Sequence, residues 1–459
     1  MDLVTLLVSL LCLLISARIV HLYWTQSIGI VESLIYATVF RYYSIRFLGP
    51  TVDVLFLVSY AISLHLLFRT QLIHRKTIQL IGLVLVSFCL FFVVQLFVHT
   101  NLGNLRIPEI LLNNFYFVLK YLLPILVITN FLLLYGEDKD RIFASFKKAA
   151  LLSCMVAVLQ LFLFILVPNN TMREIFGLTG GDKYFYAVGS LNLVRVQAFC
   201  YEPKGLSVIL GMALPLFFQS KKYLPACACF AVGVLTVSQT FYLVVLAFVF
   251  VAFFSRLLKR VSAVAFLAIL SFFLLFNLVN VVFDQLLGSS SESAFSKVVL
   301  NRALERFDVA LQEENNDLFG FPLQRDLELP AVNYFKDNKA MLLSGFGSGN
   351  YKHVPVKYFV VDWNLELLES GQFKGHFDMG WIFFASEMGL LFAVLLYLLL
   401  TGNFVVTDDI SRYYAFLIVV FFFHRIDFLV FSFFGVLYFS KKQTANPPDT
   451  ALQGNLATT

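Results

Sequence analysis

The sequence predicts an all-α polytopic membrane protein of about 11–13 transmembrane helices, with one large outer loop between late helices. Three observations carry that prediction. Of 459 residues, 59% are hydrophobic and only 14% charged, with a mean hydropathy of +0.81; soluble domains carry about 25% charged residues. Apolar runs close to the ~20 residues a helix needs to cross a bilayer recur along nearly the whole chain. The basic residues gather in clusters spaced so that all of them can lie on one side, as positively charged loops do on the cytoplasmic side.

In chain order the candidate spans are 3–23, 51–68, 79–99, 110–135, 147–167, 205–220, 224–237, 240–255, 262–283, 378–401, 413–424 and 428–440. The stretch 27–48, SIGIVESLIYATVFRYYSIRFL, is apolar enough for a further span, although Glu32, Arg41 and Arg46 weaken it. The basic clusters are His74, Arg75 and Lys76; Lys139, Arg141, Lys147 and Lys148; Lys221 and Lys222; Arg256, Lys259 and Arg260; and Lys441 and Lys442. All are cytoplasmic together if 224–255 and 413–440 are hairpins of short helices whose polar tips, VSQT and FHRID, reach the outer side. A single long helix over 413–440 would leave Lys441 and Lys442 outside, so the hairpins are preferred.

The chain then divides into an N-terminal transmembrane bundle, 1–283, a large outer loop, 284–377, C-terminal transmembrane helices, 378–440, and a cytoplasmic disordered tail, 441–459. A second outer loop covers 168–204. The first segment lacks a small-x-small cleavage site and is expected to stay as a span. Cys12, Cys89, Cys154, Cys227 and Cys229 fall in apolar helices and Cys200 near a water interface, with no disulfide or metal spacing among them. The net charge of +5 does not point to nucleic acid, because basic residues in a membrane protein mark its loops.

Ionisable residues at the edges of these spans are the candidates for function, since a charge at membrane depth faces water or a polar cavity. RVQAFCYEPKGLSVILG, Arg195 to Gly211, sets Arg195, Glu202 and Lys204 against an apolar stretch. The plain interpretation is an interfacial anchor, with Pro203 in the first helical position and Glu202 favouring the helix dipole. The functional one is a phosphate-binding Arg195 oriented by Glu202. In the large loop, ESAFSKVVLNRALERFDVALQ reads as an amphipathic helix with Phe295, Val299, Ala303, Phe307 and Ala310 on one face. Arg302 and Arg306 stand one turn apart on it, where they repel unless they share an anion or are neutralised by Glu305 and Asp308.

His376 and Asp378 stand where the large loop returns to the membrane, placed to take a proton from a hydroxyl or simply to cap a helix. His424, Arg425 and Asp427 interrupt a long apolar run, and Lys120 sits within FYFVLKYLLP, where it can snorkel to the outer interface. GFGSGNY, 345–351, lacks the Lys-Ser/Thr of a phosphate loop and reads as a turn. No HExxH or Ser-His-Asp elbow occurs, so neither a zinc peptidase nor a serine hydrolase is indicated.

The succession of these pieces resembles the O-antigen polymerase (Wzy) family, within the wider group that also holds the O-antigen ligases. RVQAFCYEPKGLSVILGMALPL is similar to the family's Arg…Glu-Pro segment opening a span, and LTVSQTFYLVVLAF to its short hairpin. Next come the outer loop with LNRALERFDVAL and SGFGSGNY, then HFDMGWIFFASEMGLL, similar to the returning helix that ends in Glu-x-Gly. The match covers about 190–400; the N-terminal half fits in hydropathy alone. Gln239 stands where the family commonly has Arg. The His-Asn type pair that ligases carry eleven residues before the Gly is replaced by Asp378 and Met379, with His376 two residues early, which favours polymerase over ligase.

The resemblance implies a multi-pass glycosyltransferase of the bacterial inner membrane, without metal or other cofactor, whose active site and large loop face the periplasm. It would transfer a growing glycan from undecaprenyl diphosphate to a sugar hydroxyl of another lipid-linked repeat unit. Its partners would be those lipid-linked oligosaccharides, membrane lipid and a chain-length regulator protein. Arg suits a diphosphate leaving group, because its planar fork pairs bidentately with phosphate oxygens. The expected diphosphate-binding residues are Arg195, Arg302, Arg306, Arg425 and Lys120, and the expected bases are Asp378, then His376, then Glu202. Two other functions compete: a ligase moving finished glycan onto lipid A-core, and a flippase or other transporter, although transporters show paired halves that this chain lacks.

Overall fold

The computed structural model describes residues 3–40, 43–45, 52–70, 123–136, 138–166, 191–200, 203–254 and 328–345, with shorter pieces at 72–75, 77–79, 81–82, 85–86, 89, 93, 112, 115, 185–188, 317–318, 321–322, 356–358, 386, 389–391, 394, 410, 413–414 and 417. These residues are mostly helical. The main helices are α1 (Leu3–Trp24), α2 (Ile30–Val39), α3 (Val54–Arg69), α4 (Leu123–Tyr135), α5 (Lys139–Leu166), α6 (Pro203–Gln219), α7 (Tyr223–Leu235) and α8 (Gln239–Phe254), followed by α9 (Glu328–Asp337) and α10 (Lys339–Ser344). Three antiparallel hairpins depart from a purely helical fold: β1 (Ser44–Ile45) with β2 (Val52–Asp53), β3 (Phe185–Val188) with β4 (Leu191–Val194), and β5 (Asp317–Leu318) with β6 (Phe321–Pro322).

Among the described residues two stretches are long and apolar enough to cross a membrane, Leu6–Trp24 in α1 and Asp140–Phe164 in α5. Their outward faces fit that reading. On α5, Leu152, Met155, Leu159, Phe162 and Leu166 are exposed at steps of three and four residues, a stripe that water would penalise and acyl chains would not. The opposite face of α5 carries Ala149, Ala150, Ser153 and Ala157, all buried. Small residues let neighbouring backbones approach where no hydrophobic effect drives helices together. Buried hydroxyls turn back onto their own helix, as Ser153 does to the Ala149 carbonyl at 3.0 Å and Ser63 to the Ser59 carbonyl at 2.6 Å.

The stretch 27–48 is not one span. α2 has ten residues, about 15 Å of helix, half of a hydrocarbon core. It begins at Gly29, whose N–H donates to Glu32 Oε2 at 2.7 Å. Beyond its C-cap, Phe40, the chain reaches the β1–β2 pairing, Ser44 opposite Asp53 and Ile45 opposite Val52. Asp53 then caps α3, accepting the Phe56 N–H at 2.8 Å, so that helix starts at Val54 rather than at residue 51. Glu32 is one of the three charges that weaken the span reading. It is 3% exposed, lies 2.8 Å from Arg141 Nε and accepts the Ser145 hydroxyl.

α5 begins eight residues before the expected 147, so Lys139, Arg141, Lys147 and Lys148 ride its first turns instead of a loop. The hairpin expected over 224–255 is present as two short helices, α7 and α8, joined at Thr236–Ser238. Glycines set the close approaches: a Cβ on Gly233 of α7 would overlap the Phe241 ring of α8, and one on Gly211 of α6 would overlap Val244 of α8.

Within 284–377, where the large loop is expected, the structure describes a small cluster. Leu329, Ala331, Val332, Tyr334 and Phe335 of α9 and Met341 of α10 are buried, and a 3₁₀ turn, Val356–Tyr358, sets the Tyr358 ring edge-on to Tyr334 at 5.3 Å. The Tyr334 phenol is pushed up to about 12, first by burial and then by Tyr358. Gly345 ends α10 with a φ of 69°, so the first residue of GFGSGNY does act as a turn. The amphipathic helix expected over 292–312 lies outside the described residues.

Candidate functional site

Arg195 follows β4 directly, where the chain leaves its pairing of Phe185 with Val194 through Val188 with Leu191. Its Nε donates to the Thr236 carbonyl at 3.1 Å, and the next N–H, of Val196, donates to the Leu235 carbonyl at 3.4 Å. Those carbonyls belong to the C-terminal end of α7, which has no intrahelical donors for its last carbonyls and carries the negative end of the helix dipole. A guanidinium is well matched to both needs. Thr236 is fixed from the other side as well, its Oγ1 lying 2.8 Å from Ser207 Oγ of α6. Arg195 therefore sits where β4, the α7–α8 tip and the first turns of α6 come together.

The backbone after Arg195 is neither helix nor strand, and its polar groups are met by one side chain. Gln160 of α5 accepts the N–H groups of Gln197 and Ala198 at 3.2 and 2.8 Å and donates to the Ala198 carbonyl at 3.3 Å. The local path is strained, with φ of 51° at Ala198 and 45° at Val237, in the left-handed region that residues with a Cβ avoid. Cys200 N–H closes the turn on the Gln197 carbonyl at 3.0 Å, and Cys200 is buried against Gly205, where a Cβ would lie 3.2 Å from the cysteine's own. Phe199 turns inward onto Phe40 at the end of α2, ring centroids 4.7 Å apart.

Polar capacity remains here. Gln197 Oε1 is buried without a hydrogen-bond partner, as is the hydroxyl of Tyr242 in the first turn of α8; Ser238 and Thr240 are buried beside them in sequence. Buried polar atoms lacking a protein partner are commonly met by water or ligand.

Of the residues singled out by sequence, the structure places Arg195. Glu202, Lys120, Arg302, Arg306, His376, Asp378 and Arg425 lie outside the described residues. Pro203, immediately after Glu202, is the first residue of α6, as expected of a proline at a helix start. Gly389, the glycine of Glu-x-Gly, takes a φ of 83°. Among the described residues no group of three His, Cys, Asp or Glu side chains could hold a metal ion.

Sequence reasoning missed Gln160, and with it the device that holds the Arg195 segment. A lone amide in an apolar run was the signal. The same signal marks Asn130 of α4, whose side chain accepts the His74 N–H at 2.8 Å and donates to the Leu72 carbonyl at 2.9 Å. At the other end of α5, Lys147 Nζ donates to Ser220 Oγ of α6 at 2.7 Å. Lys147 and Gln160 are thirteen residues apart, about 20 Å of helix between two polar ends.

No family model, curated protein or solved structure matches this chain.

Proposed function

We propose that this chain is a polymerase of lipid-linked surface-polysaccharide repeat units, working from the outer face of a bacterial inner membrane. One observation carries the reading. The two segments whose sequences resemble the O-antigen polymerases, RVQAFCYEPKG and LTVSQTF, are hydrogen-bonded to each other through Arg195 and Thr236, Val196 and Leu235, and Ser207 and Thr236. Residues that stand far apart in sequence thus form one polar crown at the end of an apolar bundle.

The chemistry asks for cations and a base. The acceptor sugar's hydroxyl oxygen attacks the anomeric carbon of the donor glycan, and the bond from that carbon to the diphosphate oxygen breaks. The electron pair leaves with undecaprenyl diphosphate, and the hydroxyl proton passes to a carboxylate or imidazole. Arg195 binds the leaving diphosphate, and Arg302, Arg306, Arg425 and Lys120 complete the cationic set. Asp378 takes the proton, with His376 and Glu202 next in order. Only contacts that strengthen as charge moves onto the diphosphate accelerate the step.

Replacing each arginine by alanine and measuring glycan length in membranes tests the proposal. Loss of long polymer, with single repeat units still attached to the lipid core, supports it. Full-length polymer in every arginine variant rejects the diphosphate role. A deletion strain with no glycan on the core at all points to the ligase reaction, and a failure to deliver repeat units across the membrane points to a transporter.

A further inference from the structure

Pro215 stands inside α6 and has no N–H, so the carbonyl of Gly211, four residues earlier, lacks its helical donor. The structure supplies one from elsewhere. Tyr413 Oη donates to the Gly211 carbonyl at 3.2 Å, with the Val244 carbonyl of α8 at 3.4 Å, and Tyr414 Oη donates to the Met212 carbonyl at 2.7 Å. Both tyrosines are 1% exposed, so water does not reach these bonds. The rings are held as firmly as the hydroxyls: Tyr413 edge-on to Phe248 at 5.6 Å, Tyr414 against Phe143 at 6.3 Å, and the two rings 5.2 Å from each other. At Gly211 the missing Cβ lets Val244 of α8 close onto α6. α5, α6 and α8 all meet the tyrosine pair around the proline. Phenylalanine at 413 would fill the same space and leave the Gly211 carbonyl without its donor, and phenylalanine at 414 would remove a further bond, to the Met212 carbonyl, whose helical donor is the Leu216 N–H.

We infer that Tyr413 and Tyr414 are positioning residues, a latch that fixes their own stretch of chain to α6 by taking up the Gly211 and Met212 carbonyls beside Pro215. α6 starts just after Arg195 and Glu202, and the tyrosine segment runs in sequence toward His424, Arg425 and Asp427. The latch therefore joins two stretches of chain that contribute charged groups to the proposed site; in that functional part the inference rests on the polymerase reading.

The test combines three substitutions in the full-length protein, purified in detergent for its thermal midpoint and expressed in a deletion strain for polymer length. Tyr413→Phe with Tyr414→Phe lowers the midpoint by several degrees and cuts transfer roughly tenfold or more, as misplacement of reacting groups does. Adding Pro215→Ala returns an N–H to the Gly211 carbonyl, so the midpoint recovers while polymer length does not, because the stretch carrying residues 413 and 414 is still not tied to α6. Recovery of both together shows that the tyrosines only mend the helix and overturns the positioning role. Unchanged midpoint and polymer in the tyrosine variants overturn the latch itself. If the double variant is not recovered folded, Tyr413→Phe alone with Pro215→Ala gives the same comparison. A wild-type chain that polymerises nothing rejects the functional reading and the positioning role with it; the midpoint cycle still judges the latch.

Discussion

The side chain of Arg195 caps the end of α7, its Nε held 3.1 Å from the Thr236 carbonyl, so the leading candidate for anion binding is also a structural tie. Arg195→Ala is expected to lose both roles. Arg195→Lys keeps a charge but cannot cap the helix and present a planar fork together. We expect the alanine variant to lose about 1.5–3 kcal/mol of stabilisation and the lysine variant to recover stability without recovering polymer length. Thermal midpoints read beside glycan ladders check this; equal recovery of both would assign Arg195 to folding alone.

Gln160 answers three backbone groups at once, and apolar replacement leaves all three buried and unmatched. Gln160→Leu should cost about 3 kcal/mol or more. Gln160→Glu retains the acceptor but turns an oxygen toward the Ala198 carbonyl, so it should not restore full stability. Denaturation in detergent, with the two variants side by side, measures the difference. A silent Gln160→Leu would mean that the 195–200 turn finds other partners.

Gly233→Ala drives a methyl into the Phe241 ring, whereas Gly82 has nothing within 4 Å of where its Cβ would be. The first substitution should destabilise by about 1–3 kcal/mol, and Phe241→Leu in the same chain should relieve part of that. The second should be neutral or slightly stabilising, since alanine is the better helix former by about 1 kcal/mol. Equal thermal midpoints for the two glycine variants would contradict the close α7–α8 packing.

Glu32 is buried and Arg141 is 48% exposed, so their ion pair breaks asymmetrically. Arg141→Ala strands a carboxylate away from water, which costs more than returning Arg141 to solvent. Glu32→Gln keeps an acceptor for the Gly29 N–H and should be the milder change. Midpoints in the reverse order would show that water already reaches Glu32.

Tyr334 adds a pH dependence to the loop cluster. Its phenol is pushed up to about 12, so the folded state holds the proton more tightly than the unfolded chain, with its ordinary value near 10. The stability this contributes is complete below pH ~10 and falls away between pH ~10 and ~12. Ultraviolet titration of the protein against Tyr334→Phe should show one phenolate fewer appearing late. A difference centred near pH ~10 would place Tyr334 in solvent.

The elements most legible in the sequence were those that chemistry punctuates. Pro203 marks the start of α6, and Lys221 and Lys222 mark the turn into α7. The first helix was expected over 3–23 and ends at Trp24. Hydropathy fails where polar groups are satisfied inside the protein. In the 27–48 stretch Glu32 was legible as a charge that weakens a span, but its partner Arg141, more than a hundred residues away, was not. Gln160 and the hydroxyls of Tyr413 and Tyr414 stayed invisible for the same reason: each answers a backbone defect elsewhere, at Ala198 or Pro215, and no local pattern encodes that pairing. Of the site itself Arg195 was legible from its position before an apolar run, while its Thr236 contact was not.

The inward-facing amide of Gln160 has a consequence for the surrounding lipid. The exposed apolar stripe of α5 continues past it to Phe162 and Leu166, six residues or about 9 Å of helix further on. In a bilayer crossed by α5, the turn that Gln160 holds would lie below the rim of that stripe, and headgroups would reach it only where the leaflet thins or the helix tilts.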